Sequence, residues 1–331
     1  MNLQQLRIVR ETARRNFNLT EVANALHTSQ SGVSKHIRDL EEELGLQLFI
    51  RRGKRLLGLT QPGSELLPVV ERLLHDASNI KRLAEHFTRK DEGTLSIATT
   101  HTQARYRIAD LVSQFVQLFP KVRLEIAEAN PQTVAGKLLC GEADIGIATE
   151  SLSEQPELVT FPFYRWRHAI IVPRGHALLS LRSPKLADVA AFPIITYNEA
   201  FAGRRSINET FRKAGIVPNV ILSAVDSDVI KRYVELGLGV GIVSPIAFDA
   251  QRDEQLQALA GKPLFPENTT VIAVRRGHYL RSFGYRFIEL CSPQLKADAV
   301  REAILGNGAE LHAASGQTAV HKNTLQGSGA K

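Results

Sequence analysis

The chain has 331 residues, a formal net charge of +7 at pH 7 and 44% hydrophobic residues. That apolar fraction supports packed cores and excludes a wholly disordered chain, and the length suits two or three domains at about 150 residues each. Two distant cysteines, Cys140 and Cys291, argue against a disulfide scaffold or zinc finger, and no stretch approaches the ~20 apolar residues of a membrane span.

The N-terminus lacks an apolar signal core, so the expected compartment is the cytoplasm. The positive charge is concentrated early: residues 1–60 carry ten Lys/Arg against six Asp/Glu. That favours a polyanionic partner near the N-terminus.

Leu3, Leu6, Val9 and Ala13 stand at helical spacing, which predicts a helix over residues 3–15. A second helix is expected from Asn18-Leu19-Thr20-Glu21, with Thr20 as N-cap and Val22, Ala23 and Leu26 inward. A third spans about Ser29 to Leu44, with Val33, Ile37, Leu40 and Leu44 as its buried stripe and Gly45 as its stop. Two short apolar runs, residues 48–50 and 56–59, flank Arg51-Arg52-Gly53-Lys54-Arg55 and read as a hairpin with a cationic tip.

Thr60-Gln61-Pro62-Gly63 opens a long helix over 61–88. Its apolar positions Leu66, Val70, Leu73, Ala77, Ile80, Ala84 and Phe87 step by four and three, a heptad seam that suits a partner helix. A surface helix lying on its own domain is the alternative. Arg89-Lys90-Asp91-Glu92-Gly93 reads as a polar hinge. Strands then alternate with helices, from a strand at 94–98 and a helix at 104–119 to a strand at 270–274 and a helix at 281–291. This alternation predicts a largely parallel, helix-covered sheet. The Gly/Ala/Ser/Gln/Asn-rich segment from Gly306 onward reads as a disordered tail.

Residues 18–44 form a helix, a tight turn and a second helix rich in short polar side chains. Its outward face shows Ser29, Gln30, Ser31, Ser34, Lys35 and Arg38. Gln30 can bond adenine edges, and Lys35 and Arg38 can reach guanine or phosphate. Arg51, Arg52 and Lys54 would lie beside the duplex as a wing on phosphate. Taken alone, each of these is also an ordinary solvated surface. Their order, followed by a heptad helix, points to DNA.

Thr28-Ser29-Gln30-Ser31-Gly32-Val33-Ser34-Lys35-His36-Ile37-Arg38, followed by Leu40-Glu41-Glu42-Glu43-Leu44-Gly45, resembles the LysR family of transcriptional regulators, and the resemblance continues to about residue 300. It implies an α plus α/β architecture: a winged helix-turn-helix (1–60), a linker and dimerisation helix (61–88) and a two-lobed α/β effector domain (93–300) like that of periplasmic binding proteins. Lobe one would comprise 93–163 and 269–300, and lobe two 164–268. The partners it implies are promoter DNA, RNA polymerase and copies of the same chain, as a homotetramer.

A second candidate site is Thr99-Thr100-His101-Thr102-Gln103-Ala104-Arg105-Tyr106, at a strand end entering a helix. Hydroxyls, an amide and free backbone N–H groups suit an anion there; simple helix capping needs only one hydroxyl. This segment, with Asp226-Ser227-Asp228-Val229-Ile230-Lys231 and Gly237-Leu238-Gly239-Val240-Gly241, resembles the branch of the family that holds CysB, Cbl and SsuR. That branch controls sulfur assimilation. The resemblance implies an effector of the sulfate, thiosulfate, acetylserine or adenosine phosphosulfate class, contacted by Thr100, Thr102, Gln103 and Thr149. His101, Glu150, Ala202 and Gly203 would complete the site. Residues 18–24, 51–58 and 287–291 look closer to Cbl and SsuR, which implies use of sulfonates, than to a CysB-like activator of the cysteine regulon. Ala202 stands where the branch usually has threonine.

No catalytic constellation, metal site or cofactor motif is expected. The Gly237–Gly241 run enters a strand rather than a helix, the reverse of a dinucleotide fingerprint, and reads as a tight turn. An enzyme and an exported transport protein are the readings of other classes.

Overall fold

The computed structural model describes residues 1–53, 55–88, 91–200 and 202–306. Lys54, Arg89, Lys90 and the tail after Gly306 lie outside the described residues, as does the side chain of Ala202.

The chain opens with α1 (Leu3–Arg14), α2 (Leu19–Ala25) and α3 (Gln30–Leu44), then the hairpin β1 (Phe49–Arg52) and β2 (Arg55–Leu59). Leu6, Ile8, Val22, Val33, Ile37 and Leu40 close on a core that also takes Leu48, Phe49 and Leu56. The cap of α2 is Asn18, not Thr20. Asn18 Oδ1 accepts from the backbone N–H of Thr20 at 3.1 Å and Glu21 at 3.3 Å, which leaves Thr20 already inside the helix. Gly45 ends α3 at φ 65°. Leu44, expected in the buried stripe, is 36% exposed.

Helix α4 (Gln61–Thr88) starts against the hairpin. A Cβ on Gly63 would stand 2.1 Å from the Leu48 carbonyl oxygen, so only glycine permits the approach. The heptad seam divides. Val70 is buried in the N-terminal core, with half-buried Leu66 packed against it, whereas Leu73, Ile80 and Phe87 are 38%, 70% and 80% exposed. The N-terminal half of the helix therefore lies on its own domain, as in the alternative reading, while the later seam positions are exposed.

Beyond α4 come β3 (Gly93–Thr99), α5 (His101–Tyr106), α6 (Ala109–Leu118), β4 (Val122–Glu128), α7 (Pro131–Cys140), β5 (Ile145–Thr149), β6 (Leu158–Trp166), β7 (Ala169–Pro173), α8 (Leu186–Ala190), β8 (Ile194–Tyr197) and α9 (Ala202–Lys213). The chain closes with β9 (Val220–Ala224), α10 (Ser227–Glu235), β10 (Val240–Val243), β11 (Leu256–Ala258), β12 (Asn268–Arg275), α11 (Ser282–Cys291) and α12 (Ala297–Leu305). These strands form two five-stranded sheets, ordered β4-β3-β5-β12-β6 and β11-β7-β10-β8-β9. The chain passes from the first sheet to the second after β6 and returns before β12.

Neither sheet is largely parallel. β12 runs antiparallel to both β5 and β6, and β7 antiparallel to β10 and β11. Here β12 re-enters the first sheet from lobe two antiparallel to its neighbours, a direction that the local alternation of strands and helices does not reveal. The helix expected over 104–119 is two, α5 and α6, broken where Ile108 turns fully into the lobe-one core. Gly93 is the first residue of β3 rather than part of a hinge. β6 carries the first sheet to Trp166; it is an edge strand, which is why it tolerates Pro162. Apolar clusters cover both faces of each sheet. Among the described residues no helix is long and apolar enough to cross a membrane.

Candidate functional sites at two helix starts

Helix α3 presents its polar face outward. Ser29, Gln30, Ser31, Lys35 and Arg38 are exposed and Ser34 is half-buried. The Ser29 hydroxyl caps the helix by accepting from Gly32 N–H at 3.1 Å and lies 3.1 Å from the Ser31 hydroxyl. Val33, Ile37 and Leu40 anchor the opposite face, so the polar side chains are held on a rigid rod. The hairpin turns at Gly53, φ 63°, and carries Arg51 beside α3 with Arg52 next to it. Arg51 is committed: its Nη2 sits 2.7 Å from Glu41 Oε2 on α3, while Glu41 Oε1 accepts from the N–H of Leu48 and Phe49. Glu41 therefore ties the hairpin to α3 and neutralises much of the Arg51 charge.

The second site follows from sheet topology. β3 is flanked by β4 and β5, and the connections leave it in opposite directions; β8 is likewise flanked by β9 and β10. Such switch points open a crevice beyond the carboxyl ends of the strands. Thr100, His101, Thr102 and Gln103 follow β3, and Gly203 and Arg204 follow β8, so both loops lie at these crevices.

Thr100, Thr102 and Gln103 are buried, at 8%, 9% and 4% exposure. The Thr100 side chain makes no capping bond to α5. Thr102 Oγ1 lies 3.3 Å from the hydroxyl of Ser227 on lobe two, and Gln103 Oε1 accepts from the Tyr164 hydroxyl at 2.8 Å. Ser227 is fully buried and also lies 2.8 Å from the Tyr197 hydroxyl, which accepts from Ser244 N–H. Burial raises the pKa of both tyrosines, which keeps them protonated donors.

Thr149 ends β5, half-buried beside this loop, its hydroxyl 3.1 Å from that of Ser151. Glu150 is exposed, and its carboxylate accepts from Thr269 N–H at 2.8 Å, which braces β12 rather than the crevice. Gly203 packs under Trp166 and His168; a Cβ there would meet His168 Nε2 at 3.1 Å. Trp166 Nε1 donates to Thr270 Oγ1 at 3.1 Å. Tyr164, Ser227, Tyr197 and His168 are not signalled as site residues by spacing alone, although the Asp226-Ser227-Asp228 motif contained one of them.

The lobes are pinned together along α5. His101 sits between Glu128, 2.8 Å away, and Asp226, 3.1 Å away, and Arg105 Nε is 2.7 Å from Asp228 Oδ2. Tyr106 donates to Asp228 as well. His101, Asp226 and Asp228 bring ligand atoms within 4.8 Å of one another. Arg105 and Lys231, 3.1 Å away, already neutralise Asp228, so the cluster fits an ion-paired seam better than a cation site.

A helix-turn-helix with a cationic wing, a partly unpartnered linker helix and two α/β lobes facing across a crevice define a DNA-binding regulator with a ligand-sensing unit. Residues 3–64 match the bacterial regulatory helix-turn-helix model of the lysR family, and residues 88–296 match the LysR substrate binding domain. The chain belongs to the LysR family of transcriptional regulators. It is 52% identical over 308 residues to the transcriptional regulator SsuR of Burkholderia cenocepacia, covering 92% of this chain and 100% of that one. It is 49% identical over 310 residues to the regulator cbl of Escherichia coli K12, covering 94% and 98%. The cofactor-binding domain of the Cbl transcriptional regulator superposes with TM-score 0.63 at 42% identity, covering 65% of this chain and 95% of that structure. These relatives are transcriptional regulators rather than enzymes.

Proposed function

We propose that the chain is a cytoplasmic, sulfur-responsive transcriptional regulator that binds promoter DNA and senses an anionic sulfur metabolite between its lobes. Gln30, Ser34 and Lys35 read bases, Arg38 and Arg52 hold phosphate, and Lys54 extends the wing. Two DNA-reading units per dimer, in a tetramer joined partly through the exposed half of α4, read paired half-sites. RNA polymerase is the downstream partner. The similarity to SsuR and cbl supports the sulfur assignment and favours organosulfur use over a cysteine regulon.

The observation that carries the effector site is the burial of Thr100, Thr102 and Gln103 without a helix-capping role for Thr100. Three buried polar side chains at a switch point supply neutral donors to an anion. Helix α5 is only six residues long, so these hydroxyls, the Gln103 amide and the first backbone N–H groups carry the site more than a helix dipole does. Thr149 completes the lobe-one wall. Thermal-shift measurements with sulfate, thiosulfate, acetylserines, adenosine phosphosulfate and sulfonates test this reading, because a ligand that binds only the native state raises its melting point. One or more of these should stabilise the wild type and stabilise Gln103→Ala far less. An equal shift in both proteins, or none from any compound, contradicts the site.

A further inference from the structure

Where the DNA-reading unit, the linker helix and lobe one meet, the protein forms a half-open cleft of about 550 Å³. Its guanidinium groups come from all three parts: Arg10 and Arg14 on α1 with Arg15 at its C-cap, Arg82 on α4 and Arg275 on β12. Three carboxylates face them, and they do not suffice. Glu11 is shared among Arg10 at 3.2 Å, Arg15 at 3.5 Å and Arg14 at 3.7 Å, with Glu71 a further 3.8 Å contact of Arg14. Glu142 pairs with Lys137 instead. Arg82 turns away to Asp144 at 3.1 Å.

Arg275 is left half-buried, with a bond to the Leu139 carbonyl and no carboxylate within 4.0 Å among the described residues. Beside it, His75 is only 8% exposed, and its Nε2 has no hydrogen-bond partner. A half-buried guanidinium with no carboxylate in contact, next to an unpaired buried ring nitrogen, is costly unless a ligand completes both.

We propose that this cleft binds a small oxyanion, a sulfate, phosphate or carboxylate group, with Arg275 and Arg14 as its charge partners and His75 as its directional one. The site is separate from the crevice between the lobes. Because its walls belong to α1, α4 and lobe one, occupancy fixes the DNA-reading unit against the sensing unit, and the anion and DNA must alter each other's affinity by the same factor.

Calorimetric titration of the full chain carrying Thr102→Val, which removes a hydroxyl from the crevice, isolates the second site. Sodium sulfate and, separately, sodium phosphate are the probes, against sodium chloride at matched ionic strength. One equivalent of either anion should bind per chain, and which one binds identifies the group the cleft prefers. Arg275→Gln in that background should weaken binding at least about tenfold, as loss of a charge-assisted bond does. Arg14→Gln, whose side chain is 26% exposed and less needed for folding, should weaken it in the same direction. The proposal falls if neither anion binds above chloride, or if affinity is unchanged in folded Arg275→Gln and Arg14→Gln proteins.

Discussion

The starts of α3 and α5 carry similar side chains, serines, threonines and a glutamine, yet the fold treats them in opposite ways. On α3 the hydroxyl of Ser29 bonds to its own helix and the remaining polar groups face solvent. On α5 the threonines and Gln103 are buried, and their partners Ser227 and Tyr164 lie on α10 of lobe two and on β6, the strand that leads into that lobe. Exposed polar groups cost nothing until DNA arrives. Buried ones must be satisfied within the protein or by a ligand. The first arrangement suits a rigid reading surface and the second a sensor whose bonding partners change with occupancy.

The sharpest way to separate the two regions is to break one alone. Gly63→Val drives a side chain into the Leu48 carbonyl, 2.1 Å from the new Cβ position, and should destabilise the N-terminal core by about 3 kcal/mol. Calorimetry should then show the N-terminal unit melting earlier while the sensing unit keeps its transition. A single shifted transition would mean that the two units unfold together.

Acid should act on the sensing unit through His168. Its pKa is lowered to about 3 by burial alone, and neither ring nitrogen has a hydrogen-bond partner. The unfolded chain takes up this proton near pH 6.5 and the folded chain does not. Stability therefore falls as pH drops below 6.5, by up to about 1.4 kcal/mol per pH unit, and levels off only near pH 3. His168→Leu should flatten denaturant midpoints measured between pH 7 and 5. A slope identical to that of the wild type would assign the acid sensitivity elsewhere. Asp144 is a separate case: burial pushes its carboxyl up, but His278 and Arg82 outweigh it and hold it below the usual range. Its contribution is present above the unfolded carboxylate pKa and is lost only in more strongly acidic solution.

A smaller effect distinguishes the two wing arginines. Arg52→Ala should weaken all DNA sequences alike, by about 1 kcal/mol, and lower the salt slope by roughly one unit. Arg51→Ala should lower the slope less, because Glu41 already holds that guanidinium at 2.7 Å. Equal slopes for the two variants would show that DNA pulls Arg51 away from Glu41.

Much of this was legible in the sequence where the signal is local. The stripe Val33, Ile37 and Leu40, the stop at Gly45, the hairpin around Gly53 and helix α7 follow from periodicity and turn chemistry. The Thr100–Gln103 segment could be picked out by composition. What stayed hidden depends on residues distant in the chain. The antiparallel entry of β12, the edge strand β6 with its Pro162, and the partners Ser227, Tyr164 and Tyr197 are set by how the chain crosses between lobes. The seam of α4 gave the right residues but not the division of labour, since no pattern within the helix says that Val70 is buried in the N-terminal core while Phe87 is 80% exposed.

The central claim is that effector sensing and DNA reading are carried by separate helix starts and that the crevice acts on DNA reading through lobe closure. Promoter-DNA titrations of wild type and Thr102→Ala, each in an Arg275→Gln background that silences the second anion site and each with and without the anion that stabilises the wild type, test it most directly. The account predicts that Thr102→Ala binds DNA within about twofold of the wild type when no anion is present, and loses the anion-dependent change in affinity or half-site preference. A folded Thr102→Ala protein that responds to the anion as the wild type does would contradict it.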